Sequence, residues 1–277
     1  MMEFTQEQLE SSGYHLKAAP SDDWRAYDEH HPVPGYFEFD WLSARHPDLY
    51  HAFARSTIGL MNELNRLVHL SGLEVVDVGA GTGRSTLEAA RKAKHVTAVD
   101  IYESVVCFGN ARVDQAGLSN VTYLRGDGAK LPFANHSFDA WISSWAVPWY
   151  PEAYRVLKPD GYLFVMGAAP GALCGELTSI LADAYPDLIT EITPADQFDA
   201  GFPDDDSMIQ DATWKGLPVT FPVLRHDFTY ISDYGDSKEA AAILGRLYGP
   251  KARRYMLDRQ KCTLAWRLRI EVARIKK

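Results

Sequence analysis

A doubly wound α/β fold is what this sequence predicts: a mostly parallel sheet with an antiparallel last strand, preceded by a helical and aromatic N-terminal cap. Three observations predict it. Short β-branched runs recur every 20 to 30 residues with helical patterns between them, the arrangement that parallel βαβ crossovers require. The first of these strands runs into a turn with glycines at alternate positions, Gly79, Gly81 and Gly83. A helical pattern with Leu87, Ala90 and Ala93 follows at once. Strand, glycine turn and helix start together make a cradle for a nucleotide-like ligand.

Residues 1–60 read as the cap. They are rich in Trp, Tyr, Phe, His and Pro, and the stretch HHPVPGYFEFDWL excludes a regular helix. Pro47 to Val68 reads as one helix, with Leu49, Phe53, Ile58, Leu60, Leu64 and Leu67 on its apolar face. The core, 61–277, starts with the strand Leu73 to Val78. Next come a helix over Arg84–Lys92, a strand over His95–Val99 ending at Asp100, and a helix over Ser104–Ala116 closed by Gly117. A third strand, Val121–Leu124, leads into Gly126-Asp127-Gly128. Phe138–Ser143 is a strand, Glu152–Leu157 a helix and Gly161–Met166 a fifth strand. Ala172–Tyr185 reads as helical and Thr193–Pro218 as an acidic loop, which gives a substrate-side insertion at about 170–218. Val219–Ile231 and Cys262–Ile275 read as strands. Between them lie a helix over Ser237–Tyr248, stopped by Gly249-Pro250, and a short helical piece over Arg253–Asp258.

Bulk properties narrow the function classes. A chain of 277 residues with 46% hydrophobic content can bury a sizeable core. The formal net charge of −9 argues against nucleic acid as the main partner, because phosphate binding needs Lys and Arg density. Cys107, Cys174 and Cys262 are far apart and form no CxxC pair, so a reducing cytoplasmic setting is expected, without disulfides or zinc. The start MMEFTQEQLE is polar and acidic, unlike a secretory leader, and no run of about 18 apolar residues predicts a membrane span. Asp204-Asp205-Asp206 reads as a solvated loop, since three adjacent aspartates cannot all face one ion; no metal is expected.

The glycine turn itself excludes two ligands. A dinucleotide site needs GxGxxG, but Arg84 and Thr86 stand where the third glycine would fall in either frame. A P-loop needs GxxxxGK[ST], and Arg84-Ser85 breaks that as well. What remains is an acidic residue followed by GxGxG: Asp77-Val78-Gly79-Ala80-Gly81-Thr82-Gly83.

Four blocks in order, VVDVGAGTGRST at 75–86, HVTAVD at 95–100, YLRGDGAKLPFANHSFDAWISSWAV at 123–147 and EAYRVLKPDGYLFVM at 152–166, resemble the class I methyltransferases that use S-adenosylmethionine. The likeness is to the small-molecule branch of ubiquinone and menaquinone type, and it covers roughly residues 60 to 170. It implies a Rossmann-like core, S-adenosylmethionine as cofactor and S-adenosylhomocysteine as product.

The chemistry of that ligand matches the residue types. The glycine turn lets backbone N–H groups approach a carboxylate, and Asp77 can take an ammonium. Asp100, with Ile101 after it, can accept both ribose hydroxyls. Asp127 can accept from the adenine amino group, with the Gly128 and Ala129 backbones facing the ring. Ser144 and Trp145 follow the fourth strand, on the sulfonium side. Asp100 and Asp127 also read as helix caps or turn formers. Asp139 and Arg155 read as structural.

Methyl transfer from a sulfonium is an in-line displacement in which alignment and exclusion of water are the main catalytic devices. No base motif is therefore required, and none stands out; His30 and His31 are the candidates where an acceptor proton must be removed. Tyr27, Tyr36, Phe37, Trp149 and Tyr150 are candidates for the acceptor pocket. The same residues also read as packing of the cap. The expected function is methylation of a small organic acceptor. An RNA or protein acceptor, suggested only by KARR at 251–254 and RLRIEVARIKK at the end, and a non-catalytic ligand-binding protein are the alternatives. The sequence assigns no oligomeric state.

Overall fold

The computed structural model describes residues 43–44, 46–169, 176–177, 180, 205–209 and 213–277. Helices and strands below are numbered over these residues. The chain divides into two compact units.

The larger unit comprises residues 57–167, 204–228 and 268–277 and holds most of the sheet. The strands are β1 (Glu74–Val78), β2 (His95–Asp100), β3 (Val121–Arg125), β4 (Phe138–Ser144), β5 (Leu157–Ala168), β6 (Asp205–Ile209), β7 (Thr213–Trp214), β8 (Leu217–Asp233) and β9 (Thr263–Ile275). The order is β3-β2-β1-β4-β5-β9-β8-β6, with β7 paired to β8 off that path. Strands β1 to β5 pair in parallel, while β6 and β7 run antiparallel to β8. This is the doubly wound, mostly parallel sheet with antiparallel pairing at its far end that the strand spacing predicts.

The strands form where apolar runs can be covered on both faces. Val75, Val76 and Val78 of β1 are all buried, as a central parallel strand demands. One layer gathers Phe138, Trp141, Val156, Leu157 and Leu163; another gathers Leu87, Ala98, Val106, Val113 and Tyr123. The helices of this unit are α2 (Ser56–Leu67), α3 (Arg84–Ala90), α4 (Glu103–Gln115) and α5 (Tyr150–Val156). The strand order reverses between β1 and its neighbours β2 and β4, and ligands of open α/β sheets bind at such a point, beyond the carboxyl ends of the strands. The glycine turn lies there.

The second unit takes residues 1–56, 168–203 and 229–267, so the described part of the expected cap falls with late segments of the chain. Its helices are α1 (Pro47–Phe53) and α6 (Ser237–Asp258). Arg55 organises it: the guanidinium donates to the Ala52 and Asp233 carbonyls, pairs with Glu239 and lies over the Tyr234 ring. Phe53 meets Tyr248 and Trp266 edge-on.

Several expected boundaries change. The single helix over Pro47–Val68 is broken at Ala54-Arg55, where the Arg55 Nε caps α1 through the Ala52 carbonyl. The acidic stretch around Asp205 is not a loop but contains β6, held by its ladder to β8. Lys215 and Gly216, both at positive φ, close a tight β7–β8 hairpin, the primed turn that suits strand twist. As expected, the first stretch of α6 stops at Gly249-Pro250, where Gly249 takes φ 85, and a second helical stretch follows across the kink through Asp258. Strand β5 starts four residues before Gly161, with a register shift against β4.

Candidate functional site

The site begins with where the glycine turn sends its backbone. Gly79, Gly81 and Gly83 have φ of 70, 55 and 84, conformations that other residues enter only at a cost. The N–H groups of Gly79 and Ala80 both donate to the Val99 carbonyl at the end of β2, at 2.9 and 3.1 Å. Gly81 N–H donates to Asp100 Oδ2 at 2.9 Å, and Gly83 N–H to the Ala80 carbonyl. These four donors are therefore engaged inside the fold. What the turn offers is close approach, together with the Gly79 carbonyl, which accepts no hydrogen bond among the described residues.

Parallel register brings the carboxylates to the same end of the sheet. Val78 aligns with Val99, and Asp100 with Arg125, so Gly79, Asp100 and Gly126 leave their strands side by side. Asp77 is fully buried. Its Oδ2 accepts from the Ser85 and Thr86 hydroxyls, both at 2.7 Å, while Oδ1 has no partner among the described residues. Burial raises its pKa to about 6; the two hydroxyl bonds pull it back and the Asp100 charge adds to the rise.

Asp100 accepts from Gly81 N–H and, through Oδ1, from Tyr102 N–H at 3.1 Å. It is thus a strut of the turn as well as a strand-end carboxylate. The Ile101 carbonyl accepts from Arg125 Nε. Asp127 is exposed and its Oδ1 accepts from Ala129 N–H at 2.8 Å, an Asx turn that places Gly128 at its centre. Thr82 and Ser144 are buried, and the Ser144 Oγ has no partner among the described residues. Trp145 N–H extends the β4–β5 ladder to the Met166 carbonyl, with φ 56.

Three supports escape a reading of the sequence. Ser85 and Thr86 hold Asp77; a hydroxyl pair at a helix start after a strand-end acid was the available signal. Tyr123 donates to the Gly81 carbonyl at 3.0 Å, and its buried ring lies against Gly109 and Gly83. A tyrosine in a strand otherwise reads as core. Ala146 closes on Gly79 so tightly that a Cβ there would collide with its own.

On the acceptor side, Tyr150 is half-buried, and burial, then the Glu271 charge, raises its phenol pKa. Trp149 is 39% exposed and begins α5. Tyr27, His30, His31, Tyr36 and Phe37 lie outside the described residues. Asp139 is structural: it pairs with Lys158 and accepts from Glu74 N–H. Arg155 pairs with Glu152 within α5 and ties that helix to the loop before β4 through the Leu131 and Phe133 carbonyls. Among the described residues there is no cluster of three metal-ligating side chains, and no helix is long and apolar enough to cross a membrane.

A reversal of strand order with an acidic GxGxG turn defines a Rossmann-like ligand-binding domain. Residues 76–165 match the family model described as a methyltransferase domain. Similar proteins include the ubiquinone/menaquinone biosynthesis C-methyltransferase UbiE of Allorhizobium ampelinum, 36% identical over 107 residues that are 35% of this chain and 42% of that protein. The biotin biosynthesis bifunctional protein BioHC of Cellvibrio japonicus is 32% identical over 111 residues, 38% of this chain and 21% of that one. This chain thus spans less than half the length of either relative. A solved structure of a putative methyltransferase from Bacillus halodurans aligns over 78% of this chain and 99% of its own, at 18% identity and a TM-score of 0.46.

Proposed function

We propose that this protein transfers a methyl group from S-adenosylmethionine to a small organic acceptor. The observation that carries the reading is the strand-end set: the GxGxG turn, Asp100 tied to it through Gly81, and Asp127 in its Asx turn, all in one parallel register. The residues fit the ligand. The buried Asp77 Oδ1 and the Gly79 carbonyl, neither of them hydrogen-bonded among the described residues, are acceptors suited to an ammonium. The small turn residues Ala80 and Gly81, with Thr82 and Gly83, let the amino-acid end approach. A carboxylate offers about four acceptor sites, so Asp100 can hold the turn and a ribose diol together. Ile101 adds an apolar contact, Asp127 accepts from the purine amino group, and the Gly128 and Ala129 backbones face its ring. Ser144 and Trp145 border the sulfur.

When bound, S-adenosylmethionine supplies a methyl on a positively charged sulfur, already activated for displacement. The chain's own task is then alignment and exclusion of water. Trp149 and Tyr150 border the acceptor side; Tyr27, Tyr36 and Phe37 are further candidates for contact with the acceptor. His30 or His31 takes the acceptor's proton where one must leave. The names of the two relatives, both in small-molecule biosynthesis, support a small acceptor over RNA or protein.

Calorimetric titration of the purified protein with S-adenosylhomocysteine tests the donor half of this reading. Saturable one-site binding is expected, and Gly81→Val, which strains the backbone and fills the turn, should abolish it. No heat of binding to the wild type would overturn the reading.

A further inference from the structure

The loop Trp145–Trp149 bears on both ends of the proposed donor cradle. Ala146 closes on Gly79 at the amino-acid end. At the other end, a Cβ added to Gly128 would lie 2.6 Å from Trp149 Cδ1, 2.8 Å from its Nε1 and 2.6 Å from Val78 Cγ1. The edge of the indole therefore rests directly on the backbone between Asp127 and Ala129.

This placement is not what local preference or burial alone would choose. Trp149 holds φ 43 and ψ 55 at the start of α5, a left-handed conformation that is an outlier for a bulky aromatic residue. An ordinary helix start is extended at that position. Trp149 remains 39% exposed, and Val147 beside it 59%. A strained backbone holds a large, incompletely buried ring against one glycine. Outliers of this kind gather at ligand clamps. The sequence WAVPW carries no charge and no hydrogen-bonding side chain other than the indole N–H groups, so the loop can offer a flat π face but no polar reading of a ligand.

We propose that Trp149 is a positioning residue of the donor site: its indole walls the compartment of the purine base, and Gly128 is glycine because the ring must sit there. This rests on the reading of the cradle as an S-adenosylmethionine site, and moves Trp149 from a purely acceptor-side role to the seam between the two ligands. Because the loop also closes on Gly79, a base seated against the indole fixes the loop that borders the acceptor.

Calorimetry with S-adenosylhomocysteine on the wild type, Trp149→Ala and Trp149→Phe, with circular dichroism as a check on folding, decides the matter. Loss of the ring should weaken binding about tenfold or more, and phenylalanine, which keeps an aromatic face, should recover most of it. Tryptophan emission should change on titration of the wild type, and most of that change should be missing in Trp149→Phe. Binding by Trp149→Ala within about twofold of the wild type would overturn the proposal. Should Trp149→Ala fail to fold, an undiminished emission change in Trp149→Phe overturns it instead. Absence of binding by the wild type removes the donor reading, and the role of Trp149 with it.

Discussion

Burial of Asp77 has an electrostatic consequence at the scale of a single residue. Its carboxyl, ordinarily at 3.8, is raised to about 6 by burial in the folded chain. A carboxyl with a raised folded-state value opposes ionisation, so the stability of its neutral form is complete below about pH 3.8 and lost as pH rises through about 6. A shift of that size corresponds to about 3 kcal/mol, an order-of-magnitude figure. Asp77→Asn keeps an acceptor for Ser85 and Thr86 and removes the charge. Urea unfolding should show it more stable than the wild type at pH 8 by about 1–3 kcal/mol, with the difference shrinking at pH 5. A ligand ammonium would favour the carboxylate, so wild-type affinity for S-adenosylhomocysteine should fall as pH drops below 6, and the amide should flatten that profile. Asp100→Ala removes the acceptor of both Gly81 and Tyr102 N–H. Calorimetry should show binding weakened by about 1–3 kcal/mol. Both aspartates stand out in the sequence as strand-end acids. Their internal partners do not, because a hydrogen bond from Ser85 or Gly81 depends on how far the following turn folds back.

The elements around the turn act as spacers, and glycine in α4 shows how. Gly109 lies in mid-helix, where alanine is ordinarily better by about 1 kcal/mol. A Cβ at 109 would, however, enter the Tyr123 ring, which is buried and also lies against Gly83. Overpacking of this kind costs about 1–3 kcal/mol and should win. Gly109→Ala is therefore expected to lower the urea midpoint despite its better helix propensity, and to weaken ligand binding as well, because Tyr123 donates to the Gly81 carbonyl. Tyr123→Phe separates the two effects: the ring stays and the hydrogen bond goes, so affinity should fall while stability changes by about 1 kcal/mol. Helix and strand periodicity identifies α4 and β3 from the chain alone. That a glycine on one receives a tyrosine from the other is a matter of their packing.

In the whole molecule, the cradle sits within the larger unit, at the reversal of strand order. A ligand held by the folded sheet and not by the unfolded chain should stabilise it by about 2.7 kcal/mol at a hundredfold excess over Kd. For a chain of this size that is roughly 5–10 °C in Tm, readable by scanning calorimetry with S-adenosylhomocysteine. The βαβ alternation, the positions of the GxGxG turn and the strand-end aspartates were all legible, because each depends on a few consecutive residues: a short β-branched run, positive φ at glycine, an acid where a strand stops. Hidden from the sequence were β6 in an acidic stretch and the break at Ala54-Arg55. Each rests on partners distant in the chain, the β8 ladder for β6 above all. The sequence by itself determined the class of fold and where its glycine turn and strand-end carboxylates fall. Only the tertiary structure decided which way the turn's N–H groups point, which carboxylate is buried without a charge partner, and that Trp149 rests on Gly128. Those outcomes depend on the register and packing of segments far apart in sequence, and neither composition nor local spacing fixes them.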